Sequence, residues 1–272
     1  MANSYENFTL EDWSSKFTEA NRASWEGVPS VYAWLQIVEM ATSIAELVRL
    51  ENYSALIDAL GDAFGWLCCF AGQYHNLKKG EAFYFTSTLP EMIWHKYPGV
   101  CYRCTHKFSE DEIRSSRYLP CVCLATPNIS EEENNLATLR KQQARDLKPR
   151  PAKLDEWTQM TREIYGPNHR EHSLASICLH FLEEVGEVAK GLRNLYEIQP
   201  LCDQAIKLIA ISDMQDEIAD VFSWTMGLLN KIDQILEASR SFYLSQNIAN
   251  LPRLNVSSVA LAALSRWKPR AP

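Results

Sequence analysis

The sequence lacks the features that would place this protein in a membrane or on a polyanion. Its first residues contain no basic stretch followed by an apolar one, so we expect no signal peptide. No run of about 18 or more apolar residues occurs, so we expect no membrane span and no membrane partner. The net charge of −7, from 27 basic and 34 acidic residues, argues against a general nucleic-acid binder without excluding one. These absences predict a cytoplasmic protein.

Two short stretches instead concentrate carboxylates inside an apolar pattern of helical period. Residues three or four apart share a helix face, so the acids of each stretch project together. They lie in residues 182–190 and 216–222, and they are Glu183, Glu184, Glu187, Asp216, Glu217 and Asp220. If the two helices pack face to face, these groups converge on one spot, which is tolerable only around a cation. Oxygen ligands of this kind suit Mg²⁺ or Mn²⁺.

The ordinary interpretation of acids at this spacing is a solvated helix face. Two observations favour the metal site. Apolar residues such as Val185, Val188 and Ile218 surround the acids, and the second acidic set recurs at the same phase on the next predicted helix.

The acidic stretches belong to the second of two regions that align with each other. An offset of 144 takes Leu10 to Leu154, Trp13 to Trp157 and Glu39 to Glu183 without a gap. A second helical segment aligns at an offset of 158, which the following pairs share: Asp58 and Asp216, Asp62 and Asp220, Phe64 and Phe222, Trp66 and Trp224. The difference is a 14-residue insertion around residues 194–214. The sequence therefore predicts an internal repeat of helices.

The two copies differ at the acidic positions. Three acids of the second copy correspond to uncharged residues in the first: Glu184 to Met40, Glu187 to Ser43 and Glu217 to Ala59. We expect the N-terminal copy to bind metal poorly or not at all, and the C-terminal copy to hold the functional site.

Between the copies lies a cysteine pattern, C-x2-C, then sixteen residues, then C-x-C, formed by Cys101, Cys104, Cys121 and Cys123. Two tight turns with paired thiolates predict one structural zinc that stabilises a short insert and leaves no open position for catalysis. His106 is an alternative ligand and His95 a more distant one. The other interpretation is four free or disulfide-bonded cysteines.

Glu-Glu-x-x-Glu at residues 183–187, followed by Asp-Glu-x-x-Asp at 216–220, resembles the MazG family of all-α nucleoside triphosphate pyrophosphohydrolases. The resemblance covers residues 154–236 well and 10–75 weakly. The chain departs from the family in its long gap between the motifs and in its zinc insert. Many family members are single-repeat chains that dimerise or tetramerise.

The resemblance implies an all-α fold of two MazG-like helical-bundle repeats, a pseudo-dimer within one chain, joined by a zinc-binding insert. The expected organisation is a degenerate repeat at 1–80, a four-cysteine zinc-binding insert at 81–126, a linker at 127–153, a catalytic repeat at 154–240 and a tail at 241–272. The linker carries a basic run that is either solvated or draws in a polyanionic substrate. A homo-oligomer is a possible assembly.

The resemblance also implies an activity: Mg²⁺-dependent (or Mn²⁺-dependent) conversion of a (d)NTP and water to a (d)NMP and pyrophosphate. The implied metal ligands are Glu184, Glu187, Glu217 and Asp220. Glu183 becomes an outer group or the base that orients water. Candidate phosphate contacts are Lys190, Arg193, Asn230 and Lys231.

The aromatic residues near the motifs have two interpretations. Phe181, Trp157 or Trp224 either stacks on the base or fills the core, and His180 either contacts substrate or is a satisfied interior histidine. The alternative function is a non-catalytic, zinc-containing nucleotide sensor or protein-binding scaffold. The sequence does not indicate which base or sugar is preferred.

Overall fold

The structure is a computed structural model that describes residues 5–25, 31–75, 85, 87–109, 111–112, 130–198, 204–244 and 254–267. Within these ranges the regular structure is helical, as predicted, and two extended residues pair in a single bridge, Thr9 with Lys153. A 3-10 turn, Tyr5–Asn7, precedes the helices. They are α1 (Leu10–Trp25), α2 (Val31–Arg49), α3 (Tyr53–His75), α4 (Leu89–Lys96), α5 (Glu131–Leu147), α6 (Leu154–Glu171), α7 (Leu174–Ile198), α8 (Gln204–Leu244) and α9 (Val256–Trp267).

The first three helices pack on one another around α3. On α2 the buried side chains recur every three or four residues, which gives the helix one apolar face; they are Ala33, Trp34, Ile37, Ala41, Ile44 and Val48. Glu51, with a φ of 52°, turns the chain between α2 and α3. The Asn52 side chain then accepts a hydrogen bond from the Ala55 amide at 3.3 Å and caps the start of α3.

The helices α6, α7 and α8 form a second group, in which α7 packs along α8. The buried positions of α7 follow the same spacing as those of α2: Ile177, Cys178, Phe181, Val185, Val188, Leu192 and Leu195. Ser173 accepts a hydrogen bond from the Ser176 amide at 3.0 Å and caps α7. With 25 and 41 residues, α7 and α8 are longer than α2 and α3, which have 19 and 23, and residues 199–203 lie outside the described part.

The two groups meet along α2 and α7 and along α3 and α8. The Trp34 indole donates a hydrogen bond to the Val185 carbonyl oxygen at 3.3 Å. The rings of Phe64 and Phe222 contact each other with centroids 6.4 Å apart. One continuous apolar core therefore runs through both groups.

Two short helices complete the body: α4 packs on α8 and α9 packs on α3. The buried residues of α9 are Val256, Ser257, Val259, Ala260, Ala263 and Leu264, so the apolar patch near the end of the chain lies against the body. The predicted linker contains α5, whose Arg145 donates a hydrogen bond to the His95 carbonyl oxygen at 3.2 Å.

Two of the described helices are long and apolar enough to cross a membrane, namely α2 and the stretch Tyr53–Gln73 of α3. Core helices of soluble proteins meet the same criteria, and 67% of the α3 stretch is buried inside the protein. The two helices are therefore weak evidence for a membrane protein, and the cytoplasmic location remains a prediction.

Candidate metal centre

Three carboxylates converge where α7 and α8 face each other. One oxygen each from Glu184, Glu217 and Asp220 lies within 4.8 Å of the other two. Glu184 belongs to the first predicted motif and the other two to the second, so the packing of α7 on α8 unites residues that are far apart in the sequence.

The apolar residues between the acids explain why they point into this interface. On α8, Ile218, Ala219 and Phe222 are fully buried and fix the rotation of the helix about its axis. On α7, Val185 and Val188 do the same. Because a helix places residues three apart on one face, fixing the apolar positions directs the neighbouring carboxylates to the edge of the same contact.

Burial and mutual repulsion make this cluster costly when it is fully ionised. They raise the pKa of Glu184 to about 8, first because the carboxyl is removed from water and next because of the Asp220 charge. Burial also raises the pKa of Glu217 and of Asp220. A bound cation would relieve both causes, since it would neutralise the repulsion and replace the lost hydration.

A lysine side chain from α4 contacts one of the three acids. The Lys96 ammonium bonds to the Asp220 carboxylate and donates a hydrogen bond to the Asp216 carbonyl oxygen at 3.2 Å. Burial lowers the pKa of Lys96, but the charge and hydrogen bond of Asp220, together with the charges of Glu217 and Asp216, outweigh this effect and leave the pKa above its ordinary value. The Tyr97 hydroxyl also donates a hydrogen bond to Asp220. One ammonium leaves three carboxylates undercompensated, so the donor set fits a divalent, oxygen-seeking ion such as Mg²⁺ or Mn²⁺.

The other predicted acids lie beside this cluster. Glu187 is exposed and is not one of the three converging carboxylates, although its charge contributes to the raised pKa of Glu217. Glu183 is exposed, and its carboxylate lies 3.3 Å from His180 Nδ1. Their roles as ligand and base remain predictions.

Four predicted phosphate contacts divide into two kinds. Lys190 and Arg193 are exposed on α7, where Arg193 donates a hydrogen bond to Asn194 at 3.4 Å. Asn230 is buried and donates to the Thr158 carbonyl oxygen at 3.4 Å, and Lys231 donates to the Arg170 carbonyl oxygen at 2.8 Å. The last two side chains therefore tie α8 to α6 in this structure.

The aromatic candidates differ in their burial and in their contacts with the carboxylate cluster. Phe181 and Trp157 are fully buried in the core. Trp224 is half-buried, donates a hydrogen bond to the Glu184 carboxylate at 3.3 Å, and stacks on the His180 ring with centroids 4.6 Å apart. Trp224 is therefore the aromatic candidate that contacts the carboxylate cluster.

A cavity of about 120 Å³ opens beside the cluster. Glu184 and Asp220 form part of its wall, and the rest comes from residues that the sequence did not single out: Tyr97, Tyr102, Tyr165, His169 and Ser223, together with Trp224. The four-residue spacing of Tyr165 and His169 on α6 was a weak signal. Nothing in the spacing of α4 or of Tyr102 indicated that they reach this site.

The acids of the N-terminal half have a different environment. Arg266 of α9 donates hydrogen bonds to the side chains of Asp58 at 2.8 Å and Asp62 at 2.9 Å, and to the Asp58 carbonyl oxygen at 2.9 Å. The Trp267 indole donates to Asp62 at 3.1 Å. These acids are thus compensated by a guanidinium that sequence inspection had not connected with them.

The cysteine pattern is only partly described. Cys101 and Cys104 lie in a turn in which the Cys101 amide donates to the His106 carbonyl oxygen at 2.8 Å and the Thr105 amide donates to the Cys101 carbonyl oxygen at 2.9 Å. Cys121 and Cys123 lie outside the described residues. The zinc site remains a prediction.

Comparison with known proteins gives no further assignment. No family model, no curated protein and no solved structure matches this chain.

Proposed function

We propose that this protein is a Mg²⁺-dependent nucleoside triphosphate pyrophosphohydrolase. The observation that carries the proposal is the convergence of Glu184, Glu217 and Asp220 from two facing helices within 4.8 Å. On a solvated acidic face the carboxylates stay hydrated and keep ordinary pKa values. Burial raises the pKa of Glu184, and a partly buried carboxylate cluster of this kind is typical of a cation site.

The residues of the cluster have distinct roles in this proposal. Glu184, Glu217 and Asp220 would hold a divalent metal ion, which when bound would neutralise part of the triphosphate charge and lower the pKa of the attacking water. Glu183, oriented by His180, accepts a proton from that water. Water adds to the α-phosphorus while the bond to the bridging oxygen breaks, and pyrophosphate leaves with the electron pair.

Cations near the cluster bind the phosphates in this proposal. Lys96 lies closest, since its ammonium contacts Asp220. Lys190 and Arg193 lie further along α7 and are exposed to a ligand from solvent. Positive charge at these positions compensates the negative charge that develops on the leaving pyrophosphate.

We further propose that the two helical groups are tandem MazG-like repeats arranged as a pseudo-dimer. In a two-fold arrangement, equivalent residues near the axis contact each other. Two such pairs support it: Phe64 contacts Phe222 at the offset of 158, and Thr9 pairs with Lys153 at the offset of 144. The N-terminal copy then serves as scaffold.

A structural Zn²⁺ held by Cys101, Cys104, Cys121 and Cys123 completes the proposal. The turn at Cys101–Cys104 supports it, because paired zinc thiolates are commonly presented by such turns. Purified protein should contain one zinc per chain, and replacement of Cys101 and Cys104 by Ser should remove it. Purified protein without zinc would contradict this part of the proposal.

The deciding experiment measures pyrophosphate release from a panel of NTPs and dNTPs in Mg²⁺. Glu184→Gln combined with Glu217→Gln keeps side-chain size and removes two ligands, so turnover should fall on the order of a thousandfold. The matched control replaces exposed glutamates of the same helices, Glu197→Gln with Glu237→Gln, and should retain activity.

Unchanged turnover in the first double variant would refute the site assignment. If the wild type hydrolyses no nucleotide but binds one, the protein is a nucleotide sensor.

A further inference from the structure

The cavity beside the carboxylate cluster has the size of one six-membered ring. Its volume is about 120 Å³. An engineered protein cavity of about 150 Å³ holds a benzene molecule, so a space of this order accepts a single ring and leaves less room for a fused bicyclic one.

The walls of the cavity suit a flat heterocycle. Tyr97 lies between Tyr102 and Tyr165, with ring centroids 6.0 Å from each and nearly perpendicular planes. On another side the His169 and Trp224 rings lie 5.6 Å apart. Aromatic side chains stack on nucleobases regardless of sequence, because every base has a π face.

His169 adds a polar group inside this wall. It is only 3% exposed, and among the described residues no hydrogen-bond partner satisfies its Nδ1. Burial lowers the pKa of His169 to about 3, so the ring is neutral and carries one donor and one acceptor nitrogen. A buried polar nitrogen without a partner is unfavourable in the free protein and becomes satisfied if a ligand pairs with it.

Gly227 holds the His169 ring in place. A Cβ at this position would lie 2.8 Å from His169 Cε1, closer than real Cβ atoms come, so only glycine allows α8 to approach the ring this closely. The position of the imidazole is therefore fixed by packing.

We propose that this cavity is the base subsite of the enzyme and that it selects pyrimidine over purine nucleotides. The inference rests on the proposed function, because Glu184 and Asp220 belong both to the cavity wall and to the metal centre and so connect base and phosphates. The pyrimidine ring stacks against the aromatic walls, and one polar atom of its edge pairs with His169. A purine base, with its second ring, fits the available space less well.

The test measures binding of α,β-methylene analogues of dCTP, dUTP, dATP and dGTP in Mg²⁺ by calorimetry, since these analogues resist cleavage at the α-phosphorus. Pyrimidine analogues should bind at least about tenfold more tightly than purine analogues. Tyr165→Ala enlarges the cavity and should bring the purine analogues to within about threefold of the pyrimidine ones. Tyr53→Ala makes the same change on a half-buried tyrosine of α3 and should keep the preference.

Two further variants examine His169. His169→Leu removes both nitrogens at similar volume, and Gly227→Ala displaces the ring without altering it. Each should weaken binding of the pyrimidine analogues about tenfold and leave Mn²⁺ binding to the free protein unchanged. Hydrolysis of dNTPs by the wild type is measured in parallel.

Equal or tighter binding of purine analogues, or unchanged binding after both His169→Leu and Gly227→Ala, would overturn the base subsite. Hydrolysis without a base preference refutes this inference and leaves the proposed function intact. A pyrimidine preference in binding without hydrolysis refutes the proposed function and supports the subsite.

Discussion

A basic side chain binds a pair of aspartates on α3 and another binds a pair on α8, with closely similar contacts. The pairs are Asp58 with Asp62 and Asp216 with Asp220. On α3, in the N-terminal half, the Asp58 carbonyl oxygen and the Asp62 carboxylate accept hydrogen bonds from Arg266 of α9. In the C-terminal half Lys96 bonds to the Asp216 carbonyl oxygen and to the Asp220 carboxylate. In each half the next residue after the cation, Trp267 or Tyr97, donates a hydrogen bond to the second aspartate.

The difference lies in the charge that remains. In the N-terminal half the positions that match Glu184 and Glu217 hold Met40 and Ala59, so one guanidinium compensates the two aspartates Asp58 and Asp62. In the C-terminal half one ammonium faces three converging carboxylates. The acids on α3 are thus compensated by one side chain, whereas the three carboxylates between α7 and α8 carry more negative charge than the one ammonium compensates. Four changes test this comparison.

The largest effect should come from giving the C-terminal half the residues of the N-terminal half. Glu184→Met with Glu217→Ala removes two of three ligands, and Mn²⁺ affinity in a calorimetric titration should fall about a hundredfold or more, since even outer-shell changes cost about 10- to 100-fold. Glu197→Gln with Glu237→Gln serves as the control. Retained Mn²⁺ affinity in the first variant would show that the metal binds elsewhere.

Arg266→Ala removes the cation from the N-terminal half. Asp58 and Asp62 then lose three charge-assisted hydrogen bonds, and the free energy of unfolding should fall by about 1–2 kcal/mol, a modest value because the partners are partly exposed. Denaturant unfolding measures this change. Arg49→Ala, which breaks an exposed contact to Glu46 at 3.8 Å, should cost less than about 0.5 kcal/mol.

Metal affinity should not change in Arg266→Ala. A second Mn²⁺ site in this variant would show that Asp58 and Asp62 bind metal once the arginine is removed. Met40 and Ala59 would then not explain why the two halves differ in metal binding.

Lys96→Met removes the cation from the C-terminal half. The ammonium competes with a metal ion for Asp220, so Mn²⁺ should bind about tenfold more tightly, which corresponds to about 1.4 kcal/mol. The same titration measures the change, with Lys190→Met on α7 as the control. Weaker Mn²⁺ binding in Lys96→Met would mean that the lysine orients the ligands and does not compete with the ion.

The smallest effect is a pH dependence of stability without metal. The pKa of Glu184 is raised from 4.5 to about 8, so between these values the folded state binds more protons than the unfolded state. The contribution of Glu184 to the free energy of unfolding should therefore be most favourable below pH 4.5 and should decline as the pH rises toward about 8. The loss should be on the order of 1 kcal/mol, because solvent screens this half-exposed group.

Chemical unfolding in EDTA across this pH range measures the decline. Glu184→Gln should lose most of the slope, and Mg²⁺ should reduce it in the wild type. A stability that rises with pH over the same range would contradict the raised pKa.

Helical periodicity made most of the fold predictable. The apolar spacing from Val31 to Val48 and the break at Asn52 correspond to α2 and to the start of α3, because amphipathic helices and their caps are encoded locally. The sequence alignment predicts a 14-residue insertion around residues 194–214, and it did not anticipate that α7 and α8 would be longer than α2 and α3. Periodicity indicates which residues are helical and does not indicate where a helix gains a turn.

The candidate site was predictable to the extent that it lies on two amphipathic helices. Glu184, Glu217 and Asp220 were identified because the apolar residues around them fix the helix faces. Lys96 and His169 were not, since they reach the site from α4 and α6 through long-range packing that leaves no pattern in neighbouring residues.

The sequence by itself determined the helices, the buried faces of α2 and α7 and the acidic residues that distinguish one half from the other, because these depend on residue identity and local spacing. The tertiary structure alone decided what those acids meet. Arg266 covers the N-terminal pair and Lys96 contacts the C-terminal cluster, since charge compensation depends on which groups the packed chain brings within a few ångströms.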